Sequence, residues 1–280
     1  MATTPEPHTS AVGIEVEPHT GHPHPRPRIT AATLIAVPGI PDVRPGMSLP
    51  DLLVRSLDAP ALRPSEGDVL VIAQKIVSKA EGNLVDLASI TPGAQAVRLA
   101  GESGKDPRLV EVILGESTRV VRVHDGVLIT EHRLGFICAN AGVDHSNVGA
   151  GPEVVCLLPR DPDASARAIR AAVRSAFGVS VGVIINDSHG RPHREGAVGV
   201  CVGAAGFEPL VSLVGRPDRY GYTMRTSVEA VADELAAAAT LLQGQCDEDT
   251  PVVLIRGVPV SSGEGGAGRL LRDPSRDLFR

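Results

Sequence analysis

Tryptophan is missing from this 280-residue chain, and aromatic residues make up only 2% of it. That scarcity argues against a protein that stacks bases on aromatic platforms. The net charge of −6 argues against a nucleic-acid scaffold too, because such domains are normally basic. No apolar run reaches the length of a membrane span. The N-terminal residues lack the apolar centre of a secretory signal, so the expectation is a cytoplasmic protein. The four cysteines, Cys138, Cys156, Cys201 and Cys246, form no Cys-x-x-Cys pair and are widely spaced. Their spacing argues against a zinc site or a disulfide framework and for small, buried, reduced thiols. Neither standard phosphate-cradling signature is present, neither Gly-x-x-x-x-Gly-Lys-Ser/Thr nor Gly-x-Gly-x-x-Gly opening a helix. A hydrolase's Gly-x-Ser-x-Gly elbow is missing as well.

Lysine is the last scarcity, and it points somewhere. Of 27 basic residues only Lys75, Lys79 and Lys105 are lysines, and two of these stand four apart in one segment. An ammonium serves a phosphate as a compact point charge, where arginine offers a rigid fork. The segment runs Gly67-Asp68-Val69-Leu70-Val71-Ile72-Ala73-Gln74-Lys75-Ile76-Val77-Ser78-Lys79. Two others gather polar groups beside apolar residues: Ala141-Gly142-Val143-Asp144-His145-Ser146-Asn147, and Val183-Ile184-Ile185-Asn186-Asp187-Ser188-His189-Gly190-Arg191. Asp144 and Asp187 are the natural ligands for magnesium or manganese at a phosphate, which takes one or two carboxylates and leaves positions for water and phosphate oxygen. Ser188 can add a hydroxyl ligand and Asn147 can donate to a nucleotide oxygen. Taken singly, each aspartate also fits an ordinary Asx-type turn. His145, His189 and His193 do not have the spacing of a zinc site. Arg191 and Arg194 are candidates to steady an anionic substrate, or simply surface residues.

The chain's organisation follows from its punctuation. Residues 1–28 are rich in Pro and His and read as a disordered tail. Residues 29–37 read as a strand stopping at Pro38-Gly39-Ile40-Pro41, and 69–73 as a buried strand followed at Gln74 by a helix that puts Lys75 and Lys79 on one face. A short helix is expected at 106–114, a hairpin at 119–123 and 127–130, and a further strand within 133–139. Residues 164–177 read as a helix closed by Gly178, and 179–185 as an apolar strand with Asp187 in the loop at its carboxyl end. Residues 197–206 read as a close-packed strand or turn. A second long helix is expected over 227–243, with Val228, Val231, Leu235, Ala238 and Leu242 inward, Glu229, Asp233 and Glu234 solvated, and Gly244 at its end. A last strand spans 251–256, and residues 261–280 read as a tail with a short docking piece at Asp277-Leu278-Phe279.

The order of these segments resembles the coenzyme F-420-0:L-glutamate ligases (gamma-glutamyl ligases), from about Thr33 to Val258. The resemblance is carried by Pro38-Gly39-Ile40-Pro41, Ile76-Val77-Ser78-Lys79-Ala80-Glu81-Gly82, Thr130-Glu131-His132-Arg133-Leu134-Gly135, the Asp144 and Asp187 segments, Leu158-Pro159-Arg160-Asp161-Pro162-Asp163 and Val231-Ala232-Asp233-Glu234. It implies an α+β fold with mixed sheets and flanking helices, an intertwined homodimer, and a catalytic unit over 29–260. It also implies a GTP-dependent amide ligase that activates the carboxylate of coenzyme F-420-0 as an acyl phosphate for attack by L-glutamate, with two divalent ions, Mg or Mn, and potassium. Carried over residue by residue, Pro38, Gly39, Ile40, Pro41, Gln74, Lys79 and Asn147 would contact GTP, and the loop around Gly244 and Gln245 would close on it; Lys75, chosen as the segment's other lysine, is expected beside the nucleotide as well. Asp144, Asp187, Ser188 and Gln245 would hold metal, and Lys79, Asp144 and Asp187 would carry catalysis. Departures are Gln74 where a small hydroxyl is common, Asn186 and Ser188 where threonines are common, and the acidic run Cys246-Asp247-Glu248-Asp249, whose charge would repel a triphosphate. Two further readings are a sibling ligase acting on another carboxylate, and a nucleotide- or deazaflavin-binding protein without catalysis.

Overall fold

A computed structural model of the chain describes residues 29–149 and 151–278; the expected N-terminal tail and Phe279 lie outside them. The expected mixture of α and β elements is present. Its centre is a five-stranded sheet ordered Thr33–Ala36, Val252–Arg256, Val69–Ala73, Gly182–Arg191, Arg194–Ala205. All neighbours are antiparallel except Val69–Ala73 and Gly182–Arg191, which run parallel. Val69, Leu70, Val71 and Ile72 are fully buried, as expected of a strand covered on both faces.

The pleat sends alternate residues to opposite sides. Leu70, Ile72, Val183, Ile185, Val252 and Leu254 join one core with Leu53 and Leu57 of helix Leu49–Leu57 and Ala166, Ile169 and Val173 of helix Pro162–Phe177. Helix Val231–Gln243 packs on the sheet through Val231, Ala232, Leu235, Ala236 and Ala239. That stripe corrects the expected one: the helix starts at Val231, Val228 lies before it and is exposed, and Ala238 and Leu242 are only half-buried. The reason lies in the sheet. A Cβ at Gly199 would strike the Ala236 carbonyl and the Thr240 hydroxyl, so the helix approaches closely there, with small residues at the contact. Gly203 does the same for Pro162 of the other helix, where an added Cβ would come within 2.6 Å.

A smaller layer comprises the three strands Ser117–His124, Val127–His132 and Ile137–Ala139, with helices Ala94–Ser103 and Pro107–Gly115 packed through Leu99, Val110, Ile113 and Leu128. The strand expected within 133–139 is shortened because Arg133 to Phe136 make a turn, with Gly135 at φ +90° donating its N–H to the His132 carbonyl. Within residues 211–229, which form a unit of their own, Val211–Ser212 pairs antiparallel with Val228–Glu229, and Tyr220 and Tyr222 are exposed. Beyond residue 260 the chain carries two short 3-10 turns; Ala267 is buried and its N–H donates to Asp163, whereas Leu278 is 84% exposed rather than docked. Among the described residues no helix is long and apolar enough to cross a membrane.

Candidate functional site

The parallel strand pair decides where the chemistry gathers. Ala73 pairs with Asn186, so the chain that leaves Val69–Ala73 enters helix Gln74–Glu81 alongside Asn186, Asp187 and Ser188. Beyond the carboxyl ends of parallel strands is the usual ligand position in such sheets. A cleft of about 850 Å³ lies there, walled by Ile40 to Val43, the first turns of the Gln74–Glu81 helix, the Asp144 turn, Asn186 to Gly190, and the loop from Gln243 to Pro251.

Lys75 and Lys79, four apart on that helix, both reach the cleft. The Lys75 ammonium donates to Asp144 Oδ2 at 2.7 Å, to the Ser146 carbonyl at 2.5 Å and to Ser146 Oγ at 3.0 Å, using all three of its hydrogens. Burial pulls the Asp144 carboxyl upward, but Lys75 and the Ser146 amide outweigh it and hold the group below its ordinary value. Ser146 N–H donates to Asp144 Oδ1 at 2.8 Å, so Asp144 forms an Asx turn and faces the cleft at once. Lys79, 8% exposed, pairs with Asp42 Oδ1 at 2.7 Å. The hydrogen bond and charge of Lys79 lower the Asp42 carboxyl.

The Asp144 segment is shaped by unusual backbone. Asn140, Ala141, Gly142 and Asn147 all take left-handed angles, with φ of +54°, +51°, +66° and +53°. A two-way backbone bridge between Asp144 and Cys156, at 3.0 and 2.8 Å, then fixes the turn. Asp187 is held differently. The strand expected to end at 185 continues to Arg191 and pairs with Arg194–Ala205, with Asp187 opposite Val200 and His189 opposite Val198. The expected loop is therefore one arm of a long hairpin, and Asp187 Oδ2 meets His189 Nε2 at 3.1 Å.

The loop after Val231–Gln243 is tied to both walls. Asn186, buried, exchanges two amide hydrogen bonds with Gln243 at 2.7 and 3.1 Å. Gln245 donates to Ser188 Oγ at 2.8 Å, and Asn147 donates to the Cys246 carbonyl at 2.8 Å. Glu248 turns back on its own loop: the Cys246 N–H donates to its carboxylate at 2.8 Å, and this bond first of all lowers the Glu248 carboxyl. Of the acidic run, only Cys246 and Asp249 line the cleft.

Of the residues singled out in the sequence, Ile40, Pro41, Gln74, Lys75, Lys79, Asp144, Asn147, Asp187, Ser188, Gly244 and Gln245 line this one cleft; Pro38 and Gly39 do not. Arg191 donates to the Glu195 and Gly196 carbonyls of its own hairpin turn, and neither Arg191 nor Arg194 lines the cleft. Cys246 is exposed, contrary to expectation, while Cys138, Cys156 and Cys201 are buried. Burial drives the Cys138 thiol up to about 12 and the Cys156 thiol up to about 11. Asp233, expected in solvent, accepts from Cys201 N–H at 2.8 Å, and burial raises its carboxyl. Sequence reasoning passed over Asp42, Asn140 and Gln243 as cleft residues; Asp42 was within reach as the acidic residue closing the Pro38-Gly39-Ile40-Pro41 turn.

Among the described residues no three His, Cys, Asp or Glu side chains converge as a closed metal cage. The cleft instead offers carboxylates from Asp42, Asp144, Asp187 and Asp249 with the Ser188 hydroxyl and Gln245 amide. Such an oxygen-rich, open donor set fits magnesium or manganese rather than zinc. The ammonium 2.7 Å from Asp144 marks a place already built for positive charge.

Comparison with known proteins bears on this arrangement. Residues 39–257 match the family model described as F420-0:Gamma-glutamyl ligase. The chain is 48% identical over 250 residues to the coenzyme F420:L-glutamate ligase of Methanothermobacter thermautotrophicus, covering 89% of this chain and 98% of that one. It is 49% identical over 242 residues to the same-named protein of Methanopyrus kandleri, covering 85% and 93%, and 37% identical over 244 residues to that of Archaeoglobus fulgidus, covering 87% and 94%. With most of the chain matched at this level, the protein belongs to the F420-0:gamma-glutamyl ligase family.

Proposed function

We propose that this protein is a GTP-dependent ligase that joins L-glutamate to coenzyme F-420-0. The carboxylate of F-420-0 attacks the terminal phosphorus of GTP, GDP leaves, and an acyl phosphate forms. The amine of L-glutamate then attacks the acyl carbon, phosphate leaves, and the nitrogen loses a proton to complete the amide. Later rounds extend through the gamma-carboxylate.

The observation that carries this reading is the convergence of Lys75, Lys79, Asp144 and Asp187 in one cleft of a chain of this family. Lys79, oriented by Asp42, would supply a point charge to the phosphates, and Gly244 and Gln245, which line the same cleft, would close on the nucleotide. Asp144, Asp187, Ser188 and Gln245 would hold divalent metal, which when bound neutralises charge developing on the transferring phosphoryl group. Lys75 keeps Asp144 ionised and aimed into the cleft. Closure of the cleft around bound substrates would protect an acyl phosphate from hydrolysis. Potassium, a homodimeric assembly and a cytoplasmic location belong to the same reading through the family resemblance. The acidic run gives the sibling-ligase reading little support, since Glu248 spends its charge on its own loop amides.

The test is mass spectrometry of purified protein incubated with F-420-0, L-glutamate, GTP and manganese. A product heavier by one or more glutamyl units, with GDP formed alongside, is expected. No glutamylated product while another carboxylate is amidated would overturn the assignment of F-420-0 as acceptor.

A further inference from the structure

His189 is one of the cleft residues to which nothing above gives a task. It sits two residues from Asp187 on the same strand and so on the same face. Its Nε2 lies 3.1 Å from Asp187 Oδ2, and only 13% of its side chain is exposed. A carboxylate only accepts, so the tautomer that makes this bond is the one with its hydrogen on Nε2. The ring itself is held, because Phe136 meets it edge-on with centroids 6.5 Å apart and planes at 71°. Phe136 comes from the turn before strand Ile137–Ala139, and so braces the imidazole from the other layer.

The consequence is directional. One Asp187 oxygen is occupied by the imidazole, and the cleft-lining carboxylate is left with Oδ1 for a ligand. A residue that donates to a metal-binding carboxylate while being packed in place is the pattern by which outer partners orient metal ligands. We propose that His189 is a positioning residue that fixes the Asp187 carboxylate for divalent-metal binding. The inference rests on Asp187 being a metal ligand, as in the proposed function. It goes further in naming what aims that ligand and in assigning the aim to a hydrogen bond rather than to packing.

The two contributions separate by substitution. His189→Phe keeps an aromatic ring against Phe136 and removes the donor, while His189→Gln returns an N–H near the position of Nε2. Mn(II) alone is titrated into the full-length protein and free Mn(II) is read by electron paramagnetic resonance, with melting of the metal-free protein followed in parallel. The expected result is a loss of Mn(II) affinity of roughly 10- to 100-fold in His189→Phe, recovery of most of it in His189→Gln, and no matching change in metal-free melting. Asp187→Asn, measured alongside, should lose at least as much. If Asp187→Asn loses affinity and His189→Phe binds like wild type, the positioning role is wrong and the metal reading stands. If Asp187→Asn also binds like wild type, or the wild-type chain takes up no Mn(II), the metal reading falls and the inference with it.

Discussion

The two aspartates face one cleft from walls of opposite construction. Asp187 stands in the middle of a ten-residue strand, laddered to Arg194–Ala205 and backed by the Asn186–Gln243 amide exchange. Asp144 stands in a turn built from left-handed residues, and its carboxylate is steadied by an ion pair to a helix 69 residues earlier in the chain. A ladder holds its residues through many backbone bonds that no single side chain controls. A turn of this kind depends on a few special angles and one charge partner. The first wall should keep its backbone path when side chains around its acid are changed, whereas the path of the second depends on its left-handed residues and its charge partner.

Substitutions can break that contrast. Asp187→Asn gives the largest effect, removing glutamyl transfer below detection in the mass-spectrometric assay with an unchanged circular dichroism spectrum. A variant that still turned over would show that the metal assignment is misplaced. Lys75→Ala leaves Asp144 without its cation and should lower kcat by about 10- to 100-fold; equal activity would mean that the turn holds Asp144 by itself. On stability the two walls can be compared directly by urea unfolding. Asn186→Ala removes a buried amide and takes two hydrogen bonds from half-buried Gln243, and should cost about 1–3 kcal/mol. Gly142→Ala, at φ +66° with Leu158 2.9 Å from an added Cβ, should cost a similar 1–3 kcal/mol. Smallest is Ala141→Gly. It relieves a left-handed alanine at φ +51° but gives up a buried methyl, so a net change within about 1 kcal/mol is expected.

What could be read from the chain alone divides along the same line. The strand Val69–Ala73 and the helix after it are legible, because an unbroken apolar run gives way to mixed polar spacing at Gln74. Most of the polar cleft residues fall in the three short segments that stand out in the sequence. The pairings are not. Asp42 to Lys79 and Asn147 to Cys246 join residues 37 and 99 positions apart, and no local pattern encodes such contacts. The extension of the Asp187 strand is hidden because its outer half is polar and is stabilised by its hairpin partner rather than by burial. The face of helix Val231–Gln243 misleads for a different reason. Close approach at Gly199 favours small residues over leucine at the contact, which inverts the usual hydrophobic ranking.

The thiols give the cleft a ready spectroscopic handle. Three of the four cysteines are buried, and those at 138 and 156 are held as unreactive thiols at neutral pH. Cys246 alone is exposed, and it sits on the loop stitched to both walls by Asn147 and Gln245. A maleimide dye should therefore attach at one place without any engineered cysteine. Its emission would then follow that loop in real time as nucleotide enters and product leaves.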